Sequence, residues 1–239
     1  MLEKFKDLLK ERLKQKLNKA TCIVENKINQ HYRYNLPYCP PHEGNFLSSL
    51  ISKNAFKNCL EIGFYTGSTA LYLTHAISKI NGSVTSICID DKKTIERGIQ
   101  LLATLNYEKY HKLLKGNSNE VLPTLFLTSQ KFDFIFVDGW KTFDHLALEI
   151  YYLNQLLIVG GIILFDDCYM PSVRKVISLL KKFYGYEEVD YIKYNHGLYA
   201  RIYNILVYRS FYMPYRAFRK TIKTKNQDPF KDWNFHRRF

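Results

Sequence analysis

Residues 58–68 read Asn-Cys-Leu-Glu-Ile-Gly-Phe-Tyr-Thr-Gly-Ser, a short apolar strand followed by a glycine-bearing turn and the start of a helix. Gly63 and Gly67 let the backbone approach a ligand closely, and the helix that begins near Ser68 presents free N–H groups. The dinucleotide-binding fingerprint G-x-G-x-x-G is absent, because Tyr65 occupies the position of its second glycine. The turn therefore favours a ligand site at the end of this strand but disfavours NAD or FAD.

The alternation of strand and helix continues on the C-terminal side of this unit. Apolar segments with the length of strands end in acidic residues, and helical patterns follow them. These segments are residues 83–89, which lead into Asp90-Asp91, residues 132–137, which end at Asp138, and residues 162–165, which end at Asp166-Asp167. Strands that alternate with helices at this spacing predict a parallel sheet covered on both faces, a doubly wound α/β fold.

Both ends of the chain differ from this central pattern. Residues 1–40 contain an amphipathic helical pattern and lead into a proline-rich junction at residues 35–41, which is incompatible with a regular helix. Near the other end, residues 189–194 and 198–208 flank Asn195-His-Gly197 and predict an antiparallel hairpin that closes the sheet. We therefore expect the main domain at residues 41–208 and a basic, aromatic C-terminal extension at residues 209–239.

The net charge of +13 is concentrated at the two ends of the 239-residue chain. Lys and Arg outnumber Asp and Glu by eight to four in residues 1–30 and by ten to two in residues 201–239, against 17 to 16 between them. A solvated basic face is the plainer interpretation of the N-terminal excess, and the role of the C-terminal excess stays open. Nucleic acid is thus the less favoured partner.

The length of the apolar runs and the number and spacing of the cysteines indicate the cellular compartment. The longest apolar run, residues 156–165, is too short to cross a bilayer, and the first twenty residues lack the continuous apolar stretch of a signal peptide. The five cysteines are odd in number and form no CxxC pair, which is typical of a reducing environment. We expect a cytoplasmic protein without a transmembrane segment.

The pattern Glu61-x-Gly63-x-x-x-Gly67, with Asp90 after the next strand, resembles that of class I S-adenosylmethionine-dependent methyltransferases. Residues 43–168 are similar to the cation-dependent O-methyltransferases of the caffeoyl-CoA and catechol type and to the macrocin-type sugar O-methyltransferases. The stretches that carry the similarity are residues 43–47, 60–67, 132–138 and 160–163. This resemblance implies a mostly parallel, seven-stranded sheet of the Rossmann-like methyltransferase type with an antiparallel C-terminal hairpin.

The resemblance also implies an S-adenosylmethionine site. The residues that it assigns to the cofactor are Glu61, Gly63, Gly67, Ser68, Asp90, Ser118 and Asp138. Among them, Glu61, Gly63 and Ser68 would line the methionine and ribose. The Asp90 carboxylate would accept the ribose hydroxyls, and Ser118 would lie near the adenine. The plainer alternative is that the glycines only form a tight turn and that Asp90 caps a helix.

Three carboxylates follow two strands that we expect to be neighbours. Because adjacent parallel strands lie about 4.8 Å apart, Asp138, Asp166 and Asp167 should converge, and they repel one another unless a cation or protons neutralise them. Oxygen-only ligands favour Mg²⁺, Mn²⁺ or Ca²⁺. In the resembled families, two aspartates and an asparagine or third aspartate hold such an ion, and Asp167 agrees with the macrocin type. The alternative is a metal-free loop that binds backbone amides.

Lys141 is the first candidate for a catalytic base. It follows Asp138 in the sequence Asp138-Gly-Trp-Lys141, and the catechol-type enzymes carry a Trp-Lys there whose lysine takes the substrate proton. A lysine next to a metal can have its pKa lowered and so accept a proton. His145, one helical turn further along, is the second candidate.

These features together predict an S-adenosylmethionine-dependent methyltransferase that methylates a hydroxyl of a small molecule or sugar with a divalent cation. One alternative is a metal-independent methyltransferase of RNA ribose, protein or glycan that uses the basic C-terminus. The N-P-P-Y type of motif expected of amino-methylating nucleic-acid enzymes is absent where Asp138-Gly-Trp-Lys stands. The other alternative is a cofactor-binding scaffold without catalysis. The chain is also a candidate for a homodimer.

Overall fold

The computed structural model describes residues 23–32, 38–189 and 214–222 of the chain. The helices are α1 (Ile23–Tyr32), α2 (Pro41–Asn54), α3 (Ser68–Ser78), α4 (Lys92–Ala103), α5 (Ser118–Leu127), α6 (Phe143–Leu156) and α7 (Pro171–Phe183). The strands are β1 (Asn58–Ile62), β2 (Ser83–Cys88), β3 (His111–Lys115), β4 (Phe132–Val137), β5 (Leu157–Phe165), β6 (Tyr186–Glu188) and β7 (Arg216–Lys220). A 3₁₀ turn, Glu108–Tyr110, precedes β3. In this part of the chain, none of the helices is long and apolar enough to span a membrane.

The seven strands form one sheet in the order β3-β2-β1-β4-β5-β7-β6. The first five strands are parallel to one another, and β7 is antiparallel to both of its neighbours, β5 and β6. Strand order reverses between β1 and β4, which is the position where ligands bind in doubly wound sheets. The predicted fold, a mostly parallel seven-stranded sheet with antiparallel pairing at its C-terminal end, is confirmed.

Apolar helix faces cover both sides of the sheet. One buried cluster contains Val24 and Ile28 of α1, together with side chains of α2, α3 and α4. The other contains side chains of α5, α6 and α7, among them Leu146 and Val173. The central strands β1 and β4 contribute to both clusters because alternate side chains of a strand point to opposite faces.

The strands that close the sheet differ in position from the predicted hairpin. The predicted turn at residues 195–197 and nearly all of both predicted strands lie outside the described residues, and the described antiparallel strands are β6 and β7. Strand β7 belongs to residues 209–239, which were expected to form an extension beyond the domain. Its basic residues obscure its strand character, but Ala217 and Phe218 are fully buried and Arg216 forms a bidentate pair with Glu188. Burial of the apolar residues thus adds this segment to the sheet.

The N-terminal predictions have a mixed outcome. The amphipathic pattern within residues 1–20 lies outside the described residues. The junction predicted to exclude helix ends one residue earlier than expected, because Pro41 is the first residue of α2. A proline fits there, since the first N–H groups of a helix have no partner within the helix and their loss costs little.

Candidate active site

The carboxyl ends of the central strands surround a cavity of about 690 Å³. The predicted site residues that line it are Gly63, Ser68, Asp90, Ser118, Asp138, His145 and Asp166. Four predicted residues do not line the cavity, but each is next in the chain to a residue that does. They are Glu61, Gly67, Lys141 and Asp167. A cavity of this size is large enough for a nucleoside cofactor.

The glycine turn after β1 brings the backbones of two loops together. Gly63 has a φ of +97°, and a Cβ atom there would lie 2.5 Å from the carbonyl oxygen of Asp138. Gly67 has a φ of +74° and precedes α3, where a Cβ atom would lie 3.0 Å from the backbone of Gly98 in α4. Both positions therefore require glycine. The Ser68 hydroxyl accepts a hydrogen bond of 2.9 Å from the backbone N–H of Cys39.

Glu61 is fully buried at the end of a polar chain. The Ser86 hydroxyl donates a 2.5 Å hydrogen bond to its Oε2, and the same hydroxyl oxygen lies 2.7 Å from Nε2 of His111. Burial raises the pKa of Glu61 to about 8, although the Ser86 hydrogen bond partly offsets this effect. Its Oε1 is buried without a hydrogen-bond partner among the described residues. Such an oxygen fits a donor group of a bound ligand.

Asp90 and Asp91 after β2 have separate roles. The strand ends at Cys88 rather than at residue 89 as expected, so that Asp90 lies two residues beyond it. Asp91 is the N-cap of α4 and accepts hydrogen bonds from the backbone N–H groups of Lys93 and Thr94 at 2.9 and 3.0 Å. Asp90 instead lines the cavity and accepts a 2.8 Å hydrogen bond from the thiol of Cys88. The helix-cap alternative for Asp90 is therefore wrong, because the neighbouring aspartate fills that position.

Ser118 and His145 belong to one hydrogen-bonded cluster at the start of α5. Ser118 donates a 2.5 Å hydrogen bond to the fully buried Glu149, and its hydroxyl oxygen lies 2.9 Å from Nε2 of His145. The side-chain amide nitrogen of Asn119 lies 3.0 Å from Nδ1 of the same histidine. Both ring nitrogens of His145 thus have partners on the side of the cavity where we expect adenine. This position does not favour His145 as a base near the aspartates.

Asp138, Asp166 and Asp167 converge as the sequence predicted. Carboxylate oxygens from the three residues all lie within 4.8 Å of one another. They meet because the backbone N–H of Asp138 donates to Ile62 and that of Asp166 donates to Val137, which extends the strand ladder by one residue. Burial and then repulsion from Asp138 and Asp167 raise the pKa of Asp166 to about 7. Three oxygen donors at this separation fit a hard divalent cation.

Lys141 lies among these carboxylates, and they favour its charged form. Its Nζ is 3.1 Å from Oδ1 of Asp138 and 3.7 Å from Oδ2 of Asp167. Burial by itself lowers the pKa of Lys141, but the three aspartates outweigh it, and the pKa lies above its usual value. The lowered pKa was expected for a lysine next to a bound metal, whereas in the protein alone the charged form of Lys141 is favoured. The reason is that the same carboxylates that would hold a cation also stabilise the ammonium.

Glu43 and Cys88 have no role in the sequence-based prediction, yet both line the cavity. Glu43 lies in the first turn of α2 and is only 6% exposed. Burial and the nearby Asp166 and Asp138 raise its pKa well above the usual value. Glu43 stands in one of the stretches that carry the family resemblance, so a signal was present. Cys88 offered none, because a thiol in an apolar strand is typical of core packing.

Comparison with known proteins adds three kinds of similarity. The family model described as O-methyltransferase matches residues 14–176. A protein of Arabidopsis thaliana named as a caffeoyl-CoA O-methyltransferase is 33% identical over 128 residues, which are 54% of this chain and 53% of the relative. The chain thus spans about half the length of this relative.

Two solved structures have a similar fold. A Staphylococcus aureus protein named as a caffeoyl-CoA O-methyltransferase has a TM-score of 0.63 and 21% identity, with coverage of 76% of this chain and 93% of that protein. A Bacillus cereus O-methyltransferase in complex with S-adenosylhomocysteine has a TM-score of 0.60 and 19% identity, with coverage of 70% and 81%. At these identities, the likeness concerns the fold.

Proposed function

The chain belongs to the O-methyltransferase family, and from this premise we propose that it transfers a methyl group from S-adenosylmethionine to a hydroxyl of a small molecule or sugar, with the help of a divalent cation. The single observation that carries the proposal is that the glycine turn after β1 is in contact with the acidic cluster, which consists of Asp138, Asp166 and Asp167. The backbone N–H of Asp138 donates a 2.9 Å hydrogen bond to Ile62, next to Gly63. A methyl donor on the turn and a hydroxyl on the cluster would therefore meet.

The residues of the cavity fit a nucleoside cofactor. The close approach of Gly63 to Asp138 leaves room for no side chain, and behind the wall Oε1 of Glu61 is buried without a hydrogen-bond partner among the described residues. Asp90 would accept the ribose hydroxyls, and the cluster around Ser118 would contact the adenine. S-adenosylmethionine supplies a methyl group on a positively charged sulfur, and the protein contributes proximity and orientation.

Asp138, Asp166 and Asp167 would hold the cation. Their charge exceeds that of Lys141, so the cluster retains net negative charge that a divalent ion would neutralise. Such a cation makes a bound hydroxyl more acidic. The same three carboxylates disfavour the approach of a polyanion, which argues against the RNA alternative.

Lys141 would receive the proton of the acceptor hydroxyl. Once the charge of the carboxylates is compensated, burial remains as the main influence on its pKa, and burial lowers it. Nζ of Lys141 would then take the proton from the acceptor hydroxyl, whose oxygen would bond to the methyl carbon as the carbon–sulfur bond of the methyl donor breaks. S-adenosylhomocysteine is the other product.

Metal dependence tests the proposal most directly. We would measure turnover of S-adenosylmethionine with vicinal diols such as catechol, and binding of Mn²⁺ and S-adenosylhomocysteine by calorimetry. We expect EDTA or Asp166→Asn to abolish turnover and Mn²⁺ binding but to leave the affinity for S-adenosylhomocysteine within about twofold, because Asp166 is assigned to the cation and not to the cofactor.

Asp133→Asn is the matched control. Asp133 accepts hydrogen bonds from the backbone N–H groups of Lys57 and Asn58 near the opposite end of the sheet, so its replacement should lower stability and leave Mn²⁺ binding unchanged. An active protein that is indifferent to EDTA would overturn the metal site and favour a metal-independent methyltransferase. Binding of S-adenosylhomocysteine without any turnover would favour a scaffold.

A further inference from the structure

We propose that Cys88 is a positioning residue of the cofactor site, whose thiol holds the Asp90 carboxylate in place for the ribose hydroxyls. This inference rests on the proposed function, because it assumes that the cavity binds a nucleoside cofactor. It assigns recognition of the sugar to a pair of residues rather than to one carboxylate.

Cys88 lies at the end of β2, between the loops that follow β1 and β3. Its thiol donates a 2.8 Å hydrogen bond to Oδ2 of Asp90, and both residues line the cavity. The backbone N–H groups of Tyr65, in the glycine turn, and of Asp90 are near enough to the sulfur to oppose the rise in its pKa. The Cys88 carbonyl accepts a 2.9 Å hydrogen bond from the backbone N–H of Gly116 after β3. One residue therefore links the three loops that would surround the ribose.

Asp90 needs a side-chain partner because the strand ladder has already ended before it. Strand β2 ends at Cys88, and the intervening Ile89 is 70% exposed. In the part of the chain that the structure describes, the Cys88 thiol is the one donor to the Asp90 carboxylate. With Oδ2 bonded to the thiol, Oδ1 remains available for a ligand. A carboxylate held in this way loses less conformational freedom when it binds.

The thiol keeps its proton under ordinary conditions. Burial is the main influence that raises the pKa of Cys88 to about 11, and its hydrogen bond to Asp90 acts in the same direction. The other described thiols differ in their acceptors. Cys168 donates to the backbone carbonyl of Phe165, and Cys39 to that of Pro40. Donation to a carboxylate on the cavity wall thus distinguishes Cys88 from the other two thiols.

The experiment is calorimetric titration of the full chain with S-adenosylhomocysteine. We expect Cys88→Ala to weaken binding about five- to tenfold, because a hydrogen bond to a charged acceptor is lost. Cys88→Ser keeps a donor and should stay within about twofold of the wild type. In a double-mutant cycle, Cys88→Ala should add almost nothing to the loss caused by Asp90→Ala, because the thiol acts through that carboxylate.

Cys59→Ala is the matched control. Cys59 is fully buried in β1 and does not line the cavity, so its truncation should lower Tm without changing affinity. If Cys88→Ala fails to fold, Cys88→Val fills the space without a donor and should show the same loss of affinity.

Three results would overturn the inference. They are unchanged affinity in Cys88→Ala or Cys88→Val, a serine variant as weak as the alanine variant, and losses from Cys88 and Asp90 that add independently. Each of these leaves the proposed function standing, provided that the wild type binds S-adenosylhomocysteine. A wild type that does not bind it would overturn the proposed function, and this inference with it.

Discussion

Next to the part of the cavity proposed to bind the nucleoside (the nucleoside side), polar side chains are joined to one another by hydrogen bonds. Next to the part proposed to bind the acceptor hydroxyl (the acceptor side), the described carboxylates outnumber the lysine that lies among them. On the nucleoside side, Ser86 joins Glu61 to His111, and Ser118 joins Glu149 to His145. On the acceptor side, the acidic cluster formed by Asp138, Asp166 and Asp167 has Lys141 as its cation.

Under the proposed function, hydrogen bonds within the protein preorganise the nucleoside side, and a cation would complete the acceptor side. Side chains that are hydrogen-bonded to one another keep their positions when a cofactor binds, so little reorganisation is needed, although Oε1 of Glu61 still has no partner among the described residues. Carboxylates that repel one another instead gain stability when a cation arrives. Substitutions should therefore separate into those that change cofactor affinity and those that change catalysis or the response to metal.

The largest effect should come from Gly63, where the two sides touch. Gly63→Ala places a methyl group 2.5 Å from the carbonyl oxygen of Asp138 at a positive φ, which displaces both the turn and the acidic cluster. We expect turnover to fall at least about a hundredfold, since misplacement of reacting groups by about 1 Å has effects of that size on rates. The affinity for S-adenosylhomocysteine should fall as well.

Gly160→Ala is the control for this substitution. Gly160 also has a positive φ, of +84°, but a Cβ atom there meets nothing within 4 Å. It should lower the free energy of unfolding by about 1–2 kcal/mol and leave the affinity unchanged. Equal losses of affinity in the two variants would mean that backbone strain, and not the contact between the two sides, is responsible.

Substitutions at Lys141 and His145 should distinguish a loss of catalysis from a loss of cofactor binding. We expect Lys141→Met to lower turnover about 10²–10³-fold, the usual range for loss of a general base, with little change in the affinity for S-adenosylhomocysteine. His145→Gln should instead weaken that affinity a fewfold and leave turnover at saturating cofactor almost unchanged. Rapid-quench kinetics and calorimetry measure the two quantities, and the reverse pattern would make His145 the base.

The stability of the protein without metal and cofactor should fall as pH rises from about 6.5 to 8. Glu61 has a pKa of about 8 in the folded state, above its value of 4.5 when unfolded, so its contribution is complete below pH 4.5 and is lost as pH rises through 8. Asp166, with a pKa of about 7, acts in the same direction. His111, whose pKa burial lowers to about 4, has the opposite effect, but only below its unfolded value of 6.5.

Urea unfolding at pH 6.5 and 8 measures this loss. For the fully buried Glu61, we expect about 1–2 kcal/mol over this interval, because one pKa unit corresponds to about 1.4 kcal/mol. Glu61→Gln should remove the contribution of Glu61 to the pH dependence of the free energy of unfolding. Asp166→Asn should likewise remove the contribution of Asp166. Mg²⁺ should flatten the slope only where Asp166 is intact. A slope that is the same in both variants and the wild type would contradict the assignment to these carboxyl groups.

The smallest effect should come from Glu43, which adds a fourth carboxyl to the acceptor side. Because burial and the aspartates disfavour its charge, Glu43→Gln should raise the Tm of the metal-free protein by a few degrees, the shift that about 1 kcal/mol produces in a chain of this size. The gain should shrink in Mg²⁺, which already compensates the repulsion. Scanning calorimetry with and without Mg²⁺ measures both, and a lowered Tm in both conditions would indicate a packing role.

Local sequence patterns were sufficient to place an element when residues nearby in the chain determine whether it forms. The sequence placed β1 and β4 at the bounds that the structure has, because short apolar runs bordered by polar residues are typical of buried strands. Convergence of Asp138, Asp166 and Asp167 was also predictable, since neighbouring parallel strands end at the same edge. By contrast, β7 was missed, because its basic residues resemble those of the surrounding tail and only pairing with β5 reveals its buried face.

The alternation of strands and helices from β1 to β5, the glycine turn after β1 and the acidic ends of the strands were determined by the sequence alone. The partners of each polar side chain were decided only by the tertiary structure. It assigned His145 to Ser118 and Glu149, gave the Asp90 carboxylate a thiol donor and surrounded Lys141 with carboxylates that raise its pKa. The physical reason is distance: hydrogen bonds and charge interactions act over a few ångströms between loops far apart in the chain, so no local pattern records them.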